Sequence, residues 1–497
     1  MPQSAAKEAA NNLLEDLKWR GQFHQVTDLE GLWGHLAEAG ASPGGVRFYN
    51  GFDPTADSLT IGNLVPIMLM RRFQDAGHTP VVLQGGATGL IGDPSGKEAE
   101  RSLRTREEVE GNIAAQRRIF ERILDFAPDR PNRAVVVNNY DWFKGIGFIE
   151  ALRDIGKHFS VNQMIARDSV KNRLDRQQGI SYTEFSYMLL QAYDFLHLYK
   201  NWKQVKNERG EPLLDGPVTL QTAGADQWGN IVSGVDLIRR AEGKDPDQLE
   251  AKAQEFQAKK QPWKHDEFMQ MAAEARKPLS FGYTVPLLTK ADGTKFGKTE
   301  SGAVWLSRTE DRPSGQPGTS PYAYFQFWLN ASDEDVIKFL KIFTLLGREE
   351  IEALEAAHVQ DPARREAQRV LAREATALLH GRDEAEKAEA AGQALFSGLV
   401  ASLDEATLRE AFAEAPSSDH PRDALAGEGV PLADLLVRTG LCQSKREARQ
   451  FLGQGAVSVN GRKAEGEDAK LTTADLLHGS MIALRRGKKN WHLTRWS

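Results

Sequence analysis

Three short apolar runs, each followed by a turn of glycine or polar residues, constrain the fold of this chain more than any other feature. They occupy residues 46–49, 80–84 and 134–138. Between the first two, apolar residues recur at helical spacing from Leu64 to Phe73, and Gly77 then stops the helix. Strands that alternate with helices predict a parallel α/β sheet, whose ligand site lies beyond the carboxyl ends of its strands.

The length of the chain and its changes in composition predict domains joined in series. At roughly 150 residues per domain, 497 residues leave room for about three. The predicted parts are an α/β domain over residues 1–319, a helical domain over 320–415 with one long run at 349–380, a Pro- and Ser-containing linker at 416–430, and a small α+β domain over 431–497. Residues 241–277 predict a solvated helical segment, and neither they nor 201–217 indicate a role.

The composition indicates neither a membrane protein nor a secreted one. No stretch approaches the ~18 consecutive apolar residues of a membrane helix, and the start of the chain lacks the apolar core of a signal peptide. The single cysteine, Cys442, excludes an internal disulfide framework and a cysteine-cluster metal site. We therefore expect a cytoplasmic protein with no membrane partner.

The charge of the chain is unevenly distributed. The whole sequence has 63 Lys and Arg against 69 Asp and Glu, but residues 431–497 have 12 against six and are therefore basic. A small basic module after an acidic body is typical of a protein with a polyanion partner. The alternative is a basic tail that only aids solubility, and charge alone leaves both open.

Two glycine-containing loops resemble phosphate-binding loops without matching the Walker pattern. The segment 293–299 is one residue short and has Asp292 at the first glycine position, while Lys97 is followed by Glu98 instead of Ser or Thr. A P-loop nucleotidase is therefore excluded. Lys295 and Lys298 form either an exposed basic hairpin or a mobile pair of ammonium groups that closes on a polyphosphate.

A polar stripe marks one later helix. Tyr187, Gln191 and Asp194 are spaced i, i+4 and i+7, so they share one helix face at about 100° per residue. Such a stripe is either a solvated face or the polar wall of a pocket.

Several segments, read together, resemble bacterial tyrosyl-tRNA synthetases of class I. Thr60-Ile61-Gly62-Asn63 occupies the place of the "HIGH" signature, and residues 295–299 resemble this family's version of the "KMSKS" loop. The other matching segments, in chain order, are residues 49–59, 85–96, 187–194, 226–230 and an S4-like tail at 432–460. The resemblance implies a Rossmann-like parallel-sheet catalytic domain, then an α-helical domain and a small α+β S4-like domain. Thr60 departs from the signature's histidine and can donate a hydrogen bond but carries no charge.

The resemblance implies activation of L-tyrosine by ATP and transfer of tyrosine to the terminal adenosine of tRNA(Tyr). Because the substrate carboxylate is already a nucleophile, catalysis needs positioning and charge stabilisation. The residues implied for catalysis are Thr55, Thr60, Asn63, Lys97, Arg101, Lys295, Lys298 and Thr299. Those implied for ATP are Asn50, Gly51, Gly62, Asp226 and Lys298.

The implied tyrosine site has a phenol end and an ammonium end. Tyr49 and Asp194 would bond the phenol hydroxyl, and Tyr187 and Gln191 would hold the ammonium with Asp93 as its counter-charge. The full implied set is Tyr49, Asp53, Asp93, Asn139, Tyr187, Gln191, Asp194 and Gln227, with Asn139 and Gln227 on the polar rim. A site that bonds a buried hydroxyl excludes phenylalanine, because the binding groups stay unpaired without it.

The remaining expectations concern partners. Arg239 and Arg240 either match the dipole of the helix that they end or contact the tRNA acceptor arm, and Lys445, Arg446, Arg449 and Lys463 are the implied RNA contacts of the tail. The resemblance further implies a homodimer, Mg²⁺ with the ATP phosphates, and no tightly bound cofactor or protein-held metal.

Two alternatives stay open at this point. One is specificity for tryptophan, which Asp194 opposes because a phenol needs an acceptor. The other is an RNA-binding protein that has lost catalysis, which Thr60 favours and the lysine loop opposes.

Overall fold

The strands of the chain form two larger sheets and two short pairs. In chain order they are β1 (Gln25–Val26), β2 (Arg47–Phe52), β3 (Thr79–Gln84), β4 (Val135–Asn138), β5 (Val218–Gly224), β6 (Phe281–Val285), β7 (Lys298–Thr299), β8 (Gly302–Ala303), β9 (Ser417–His420), β10 (Val430–Pro431), β11 (Val457–Val459), β12 (Arg462–Lys463), β13 (Lys470–Leu471), β14 (Met481–Arg486) and β15 (Asn490–Trp496).

The helices are more numerous than the strands. They are α1 (Gln3–Trp19), α2 (Leu29–Ala39), α3 (Leu64–Asp75), α4 (Thr88–Ile91), α5 (Arg106–Ile123), α6 (Tyr140–Phe143), α7 (Phe148–Glu150), α8 (Val161–Ile165), α9 (Asp168–Asp175), α10 (Tyr182–Lys200), α11 (Trp228–Ala241), α12 (Pro246–Ala258), α13 (Pro262–Ala275), α14 (Pro321–Leu329), α15 (Val336–Phe343), α16 (Arg348–Gln360), α17 (Glu366–His380), α18 (Arg382–Ser397), α19 (Glu405–Ala411), α20 (Leu432–Arg438) and α21 (Lys445–Gly453).

The structure is a computed structural model of the chain. It describes residues 3–40, 42–92, 104–165, 168–175, 180–207, 209–242, 246–291, 293, 296–299, 302–413, 415–487 and 490–497. Within these ranges no helix combines the length and the apolar character needed to cross a membrane. Internal contacts divide the chain into two compact units, residues 1–318 with 337–346 and residues 319–336 with 347–497.

The sheet of the first unit confirms the predicted α/β class. Its strand order is β1-β6-β5-β2-β3-β4. The five strands from β6 to β4 are parallel, and only β1 runs antiparallel to its neighbour. The chain builds β2, β3 and β4 in one direction and then β5 and β6 on the other side of β2, so the order reverses between β2 and β5. In such sheets the ligand crevice opens at this reversal.

The strand and helix bounds follow the sequence pattern with small shifts. β2 extends to Phe52, beyond the predicted end at residue 49, because Gly51 and Phe52 still pair with β3. The helix predicted from Leu64 is α3, and Gly77 behind it has a φ of +97°, which suits a glycine stop. Residues 241–277 form two helices, α12 and α13, where the sequence predicted one helical segment.

Helix α15 belongs to the first unit, although the sequence assigned it to the helical domain at 320–415. Its last carbonyls accept hydrogen bonds from two buried guanidinium groups. Arg20 donates to the carbonyls of Lys341 and Leu346, and Arg72 donates to those of Lys341 and Thr344. Burial is the main cause that lowers the pKa of Arg72 to about 9. Two cations at a helix C-terminus satisfy carbonyls that have no partner within the helix, and no local sequence pattern reports such a distant contact.

The helices of the second unit correct another expectation. The run predicted over 349–380 is broken between α16 and α17. Pro362 lacks an N–H and Arg365 has a φ of +50°, so the backbone turns there before α17 begins.

The linker predicted at 416–430 is partly a strand. β9 pairs in parallel with β15 in a five-stranded sheet of order β12-β11-β14-β15-β9. One face of this sheet, with Ile482 and Leu484, packs on α20 and α21. The other face, with Met481 and Leu493, packs with α18 and α19. Because β9 is short and polar, its sequence resembles a linker, and only the pairing makes it a strand.

Candidate functional site

The largest cavity of the described residues lies at the carboxyl ends of the parallel strands. Its volume is 670 Å³. It opens at the reversal of strand order between β2 and β5. The predicted site residues that line it are Tyr49, Asn50, Gly51, Asp53, Thr55, Thr60, Gly62, Asn63, Tyr187, Gln191, Asp194, Asp226 and Gln227.

Tyr49 and Asp194 form the buried end of the cavity. Tyr49 on β2 is 0% exposed, and its hydroxyl has no hydrogen-bond partner among the described residues. Asp194 on α10 is 1% exposed. Burial is the largest cause that raises the pKa of both groups well above their usual values, and the Asp194 carboxylate adds to the effect on Tyr49. A buried hydroxyl without a partner is energetically costly, so this end of the cavity is prepared for a polar group.

Asn139 does not lie on the polar rim where the sequence analysis expected it. It is completely buried, and its Nδ2 lies 3.1 Å from Asp194 Oδ2. Trp142 Nε1 donates to Asp194 Oδ1 at 2.9 Å. Each carboxylate oxygen of Asp194 therefore accepts one N–H from the segment that follows β4, which fixes the carboxylate in one orientation.

A second carboxylate lies beside Tyr187. Asp53 Oδ2 accepts a hydrogen bond from the Tyr187 hydroxyl at 2.9 Å, and Asp53 Oδ1 accepts one from the Thr88 hydroxyl at 2.7 Å. Gly85 makes room for this contact, since a Cβ atom on it would lie 2.2 Å from Asp53 Oδ1. The predicted polar stripe on α10 thus faces the cavity and not solvent.

Polar side chains continue from α10 to α11 along one wall. Asn230 Nδ2 donates to Gln191 Oε1 at 2.9 Å and to Gln227 Oε1 at 3.1 Å. Gln227 Nε2 in turn donates to Asp226 Oδ2 at 3.2 Å. These amides form a connected row that orients Gln191 and Asp226 toward a ligand.

The opposite end of the cavity is built around a helix start. Residues Ile61–Asn63 form a 3₁₀ turn that leads into α3. Asn63 Oδ1 accepts hydrogen bonds from the Thr60 hydroxyl at 2.9 Å and from the Thr60 N–H at 3.0 Å. Free N–H groups at a helix start favour anions, so this end suits phosphate.

Asn50 is largely occupied within the protein. It is buried, its Nδ2 donates to the Gly51 carbonyl at 3.2 Å, and its Oδ1 accepts from the Thr222 hydroxyl at 3.3 Å.

The lysine loop begins next to that helix start. The backbone of Lys298 and Thr299 pairs with β8. Gly297 has a φ of +88°, and a Cβ atom there would lie 2.7 Å from Ile61 Cγ2. Phe296 lines the cavity and stacks on Phe343 of α15 with 5.2 Å between ring centroids. Asp93, Lys97, Arg101 and Lys295 lie outside the described residues.

Sequence reasoning missed several residues that build this site. Gln221 and Thr88 line the cavity, and Trp142 and Asn230 fix Asp194 and Gln191. Gln221 follows a strand pattern, which signals only burial, whereas Asn230 stands inside a quoted motif and was therefore within reach.

The predicted RNA-contact residues lie in both units. Arg239 is 3.4 Å from Asp236, and Arg240 donates to the carbonyl of His158. In the second unit Lys445, Arg446 and Arg449 share helix α21 and are exposed, as is Lys463 on β12.

Comparison with known proteins identifies the class of the chain. Residues 43–397 match the family model of class I tRNA synthetases (W and Y), and residues 408–494 match that of the tyrosine–tRNA ligase SYY-like C-terminal domain. The tyrosine–tRNA ligase of Geobacillus stearothermophilus is 46% identical over 486 residues, which cover 98% of this chain and 100% of that protein. Tyrosine–tRNA ligase 1 of Bacillus subtilis is 44% identical over 485 residues, covering 98% of this chain and 99% of that one. The chain therefore belongs to the tyrosine–tRNA ligase family of class I synthetases.

A solved structure is similar in fold. The C-terminally truncated mitochondrial tyrosyl-tRNA synthetase of Aspergillus nidulans matches with a TM-score of 0.61 and 28% identity, covering 79% of this chain and 99% of that chain.

Proposed function

We propose that this protein activates L-tyrosine with ATP and transfers the tyrosyl group to the 3′-terminal adenosine of tRNA(Tyr). The observation that carries the proposal is the buried Tyr49 hydroxyl without a described partner, facing the same end of the cavity as Asp194. A phenol hydroxyl placed there donates to Asp194 and bonds Tyr49. Phenylalanine leaves both groups unpaired, which costs roughly 1–3 kcal/mol per group. Tryptophan offers no hydroxyl at this depth.

The ammonium of tyrosine binds where the polar wall and Asp53 meet. Tyr187 and Gln191 accept its N–H groups, and Asp53, held by Thr88 and Tyr187, supplies negative charge nearby. The expected counter-charge Asp93 completes this end.

The adenylation step needs no base. One oxygen of the tyrosine carboxylate bonds the α-phosphorus, the bond from that phosphorus to the bridging oxygen breaks, and pyrophosphate leaves with the electron pair. Thr60, Asn63 and the start of α3 orient the phosphates, with Thr55 and the backbone at Gly51 and Gly62 beside the nucleotide. The ammonium groups of Lys295 and Lys298, Thr299, and Lys97 and Arg101 stabilise the charge that develops on the leaving group. A ribose hydroxyl of the terminal adenosine then attacks the carbonyl carbon, and AMP leaves.

Mg²⁺ enters with the phosphates of ATP. The described residues contain no group of three His, Cys, Asp or Glu side chains that could hold a metal ion. This agrees with a cation bound mainly through substrate oxygens and water. The ion would neutralise phosphate charge.

The exposed cations of α21 and Lys463 on β12 bind the phosphate backbone of tRNA, and Arg239 and Arg240 contact its acceptor arm. Affinity should then fall steeply with salt.

We also propose a cytoplasmic homodimer. The six apolar side chains Phe148, Ile149, Leu152, Val161, Ile165 and Tyr182 are 42–71% exposed, which is a large apolar surface for one stretch of chain. A second copy would cover it. Sedimentation should give a dimer for the native protein and a monomer for Ile149→Glu, whereas Val359→Glu, at another exposed apolar position, should leave the dimer intact.

Amino-acid-dependent ATP–pyrophosphate exchange tests the function. Exchange should require tyrosine and be weak with phenylalanine or tryptophan. Exchange driven best by tryptophan would replace the specificity, and no exchange with any amino acid would overturn the enzymatic proposal.

A further inference from the structure

A buried ion pair lies behind the phosphate end of the cavity, outside the residues considered so far. Asp57 and Arg312 have side chains only 5% and 4% exposed. Asp57 Oδ1 accepts from Arg312 Nη2 at 2.7 Å and from Arg312 Nε at 2.9 Å. Asp57 Oδ2 accepts the backbone N–H of Ser314 at 2.9 Å. Both carboxylate oxygens are therefore satisfied, and the geometry of the pair is fixed.

The pair joins two segments that border the phosphate site. Asp57 stands three residues before Thr60, and Arg312 follows the segment that leaves the lysine loop. Between these points the segments run side by side. The N–H of Leu306 donates to the Leu59 carbonyl at 2.8 Å, and the N–H of Ile61 donates to the Val304 carbonyl at 2.9 Å.

This pairing continues to the loop itself. Thr60 forms an antiparallel bridge with Trp305, and the N–H of Val304 donates to the Gly297 carbonyl at 3.2 Å. The Arg312 guanidinium lies 4.3 Å from the centre of the Trp305 ring, a cation–π contact. The helix start and the lysine loop are thus parts of one strap whose far end is closed by Asp57 and Arg312.

We propose that Asp57 and Arg312 are positioning residues for the adenylation step, because they set the position of the lysine loop relative to Thr60 and Asn63. They touch no substrate atom. The inference rests on the proposed function. Loosening the strap should misplace the groups on the leaving pyrophosphate and leave the tyrosine pocket unchanged. Misplacement of about 1 Å can cost up to roughly 100-fold in rate.

Arg312→Lys tests the proposal with little change in charge or volume. Lysine keeps a cation near Asp57 but cannot donate two fixed N–H bonds to one oxygen or stack flat on Trp305. The rate of tyrosyl-adenylate formation should fall about 10-fold or more. Tyrosine affinity, measured by equilibrium binding without ATP, should stay within about twofold. Asp57→Asn, which keeps the acceptor for Ser314, should give the same split.

The matched control is Arg122→Gln. Arg122 forms a more exposed ion pair with Asp311, 2.9 Å apart, and so ties another helix to the same strap. Its loss should leave adenylate formation within about twofold of the native protein. Arg312→Lys and Asp57→Asn rates equal to that of the control would overturn the positioning role, as would a parallel loss of tyrosine affinity. Absence of exchange in the native protein would instead overturn the proposed function.

Discussion

Removing the Tyr49 hydroxyl should change stability and tyrosine affinity in opposite directions. In the free protein this hydroxyl is buried without a described partner. Tyr49→Phe therefore deletes an unsatisfied polar group, and we expect the unfolding free energy of the first unit to rise by about 1 kcal/mol. For a unit of this size the thermal midpoint should rise by about 1–3 °C.

The same change removes one hydrogen bond to the phenol of the substrate. A neutral hydrogen bond contributes about 0.5–1.5 kcal/mol net. Tyrosine should therefore bind about 2- to 13-fold more weakly. Phenylalanine binding should hardly change, because the hydroxyl is unpaired in that complex before and after the substitution. Selectivity for tyrosine over phenylalanine should fall by the same factor as tyrosine affinity.

The assay is ATP–pyrophosphate exchange with tyrosine and phenylalanine in parallel, together with thermal unfolding of each variant. Tyr283→Phe is the matched control, since the Tyr283 hydroxyl is also buried but donates to the Gln22 carbonyl at 2.7 Å. The control should lose stability and keep its selectivity. If Tyr49→Phe lost stability like the control and bound tyrosine normally, the interpretation of Tyr49 would be wrong.

Four further predictions follow from single residues. Asp194→Asn replaces one of two accepting oxygens with a donor, so tyrosine selectivity and stability should both fall, by exchange and by melting. Gly297→Ala places a Cβ atom 2.7 Å from Ile61 Cγ2 at a φ of +88°, and should slow adenylate formation more than it weakens tyrosine binding. Lys298→Ala should slow adenylate formation more than about tenfold at unchanged tyrosine affinity; a large loss of affinity would contradict the assigned role. Burial lowers the pKa of His78 to about 4, so the unfolded state takes up a proton first, and denaturation should show stability falling by up to about 3 kcal/mol from pH 6.5 towards pH 4, a slope that His78→Gln should reduce.

The sequence predicted the parts of the fold that depend on periodicity. The buried strands and the helix from Leu64 to Gly77 follow from apolar spacing and a glycine stop. Where pairing or a distant contact decides the structure, the pattern failed. The polar strand β9 exists because β15 offers its edge, and α15 joins the first unit because Arg20 and Arg72 donate to its last carbonyls.

The site divides in the same way. Tyr187, Gln191 and Asp194 were visible as a stripe, but the stripe could not tell a pocket wall from a solvated face. Asn139 was placed on the rim because its residue type is polar, whereas its actual position is set by bonds to Asp194. A pattern reports which side chains share a face; only the packed structure reports what lies opposite that face.

The two ends of the cavity follow different physical rules, which explains why Thr60 can replace a histidine. At the phenol end, each buried polar group must meet a partner at fixed depth, so a single lost atom changes selectivity. At the phosphate end, charge is spread over backbone N–H groups, a helix start and a loop with several cations, so no single side chain carries the whole effect. Thr60 also bonds Asn63 and pairs with Trp305. Its backbone therefore fixes the helix start whatever its side chain contributes, and the strap closed by Asp57 and Arg312 is the more sensitive part of that end.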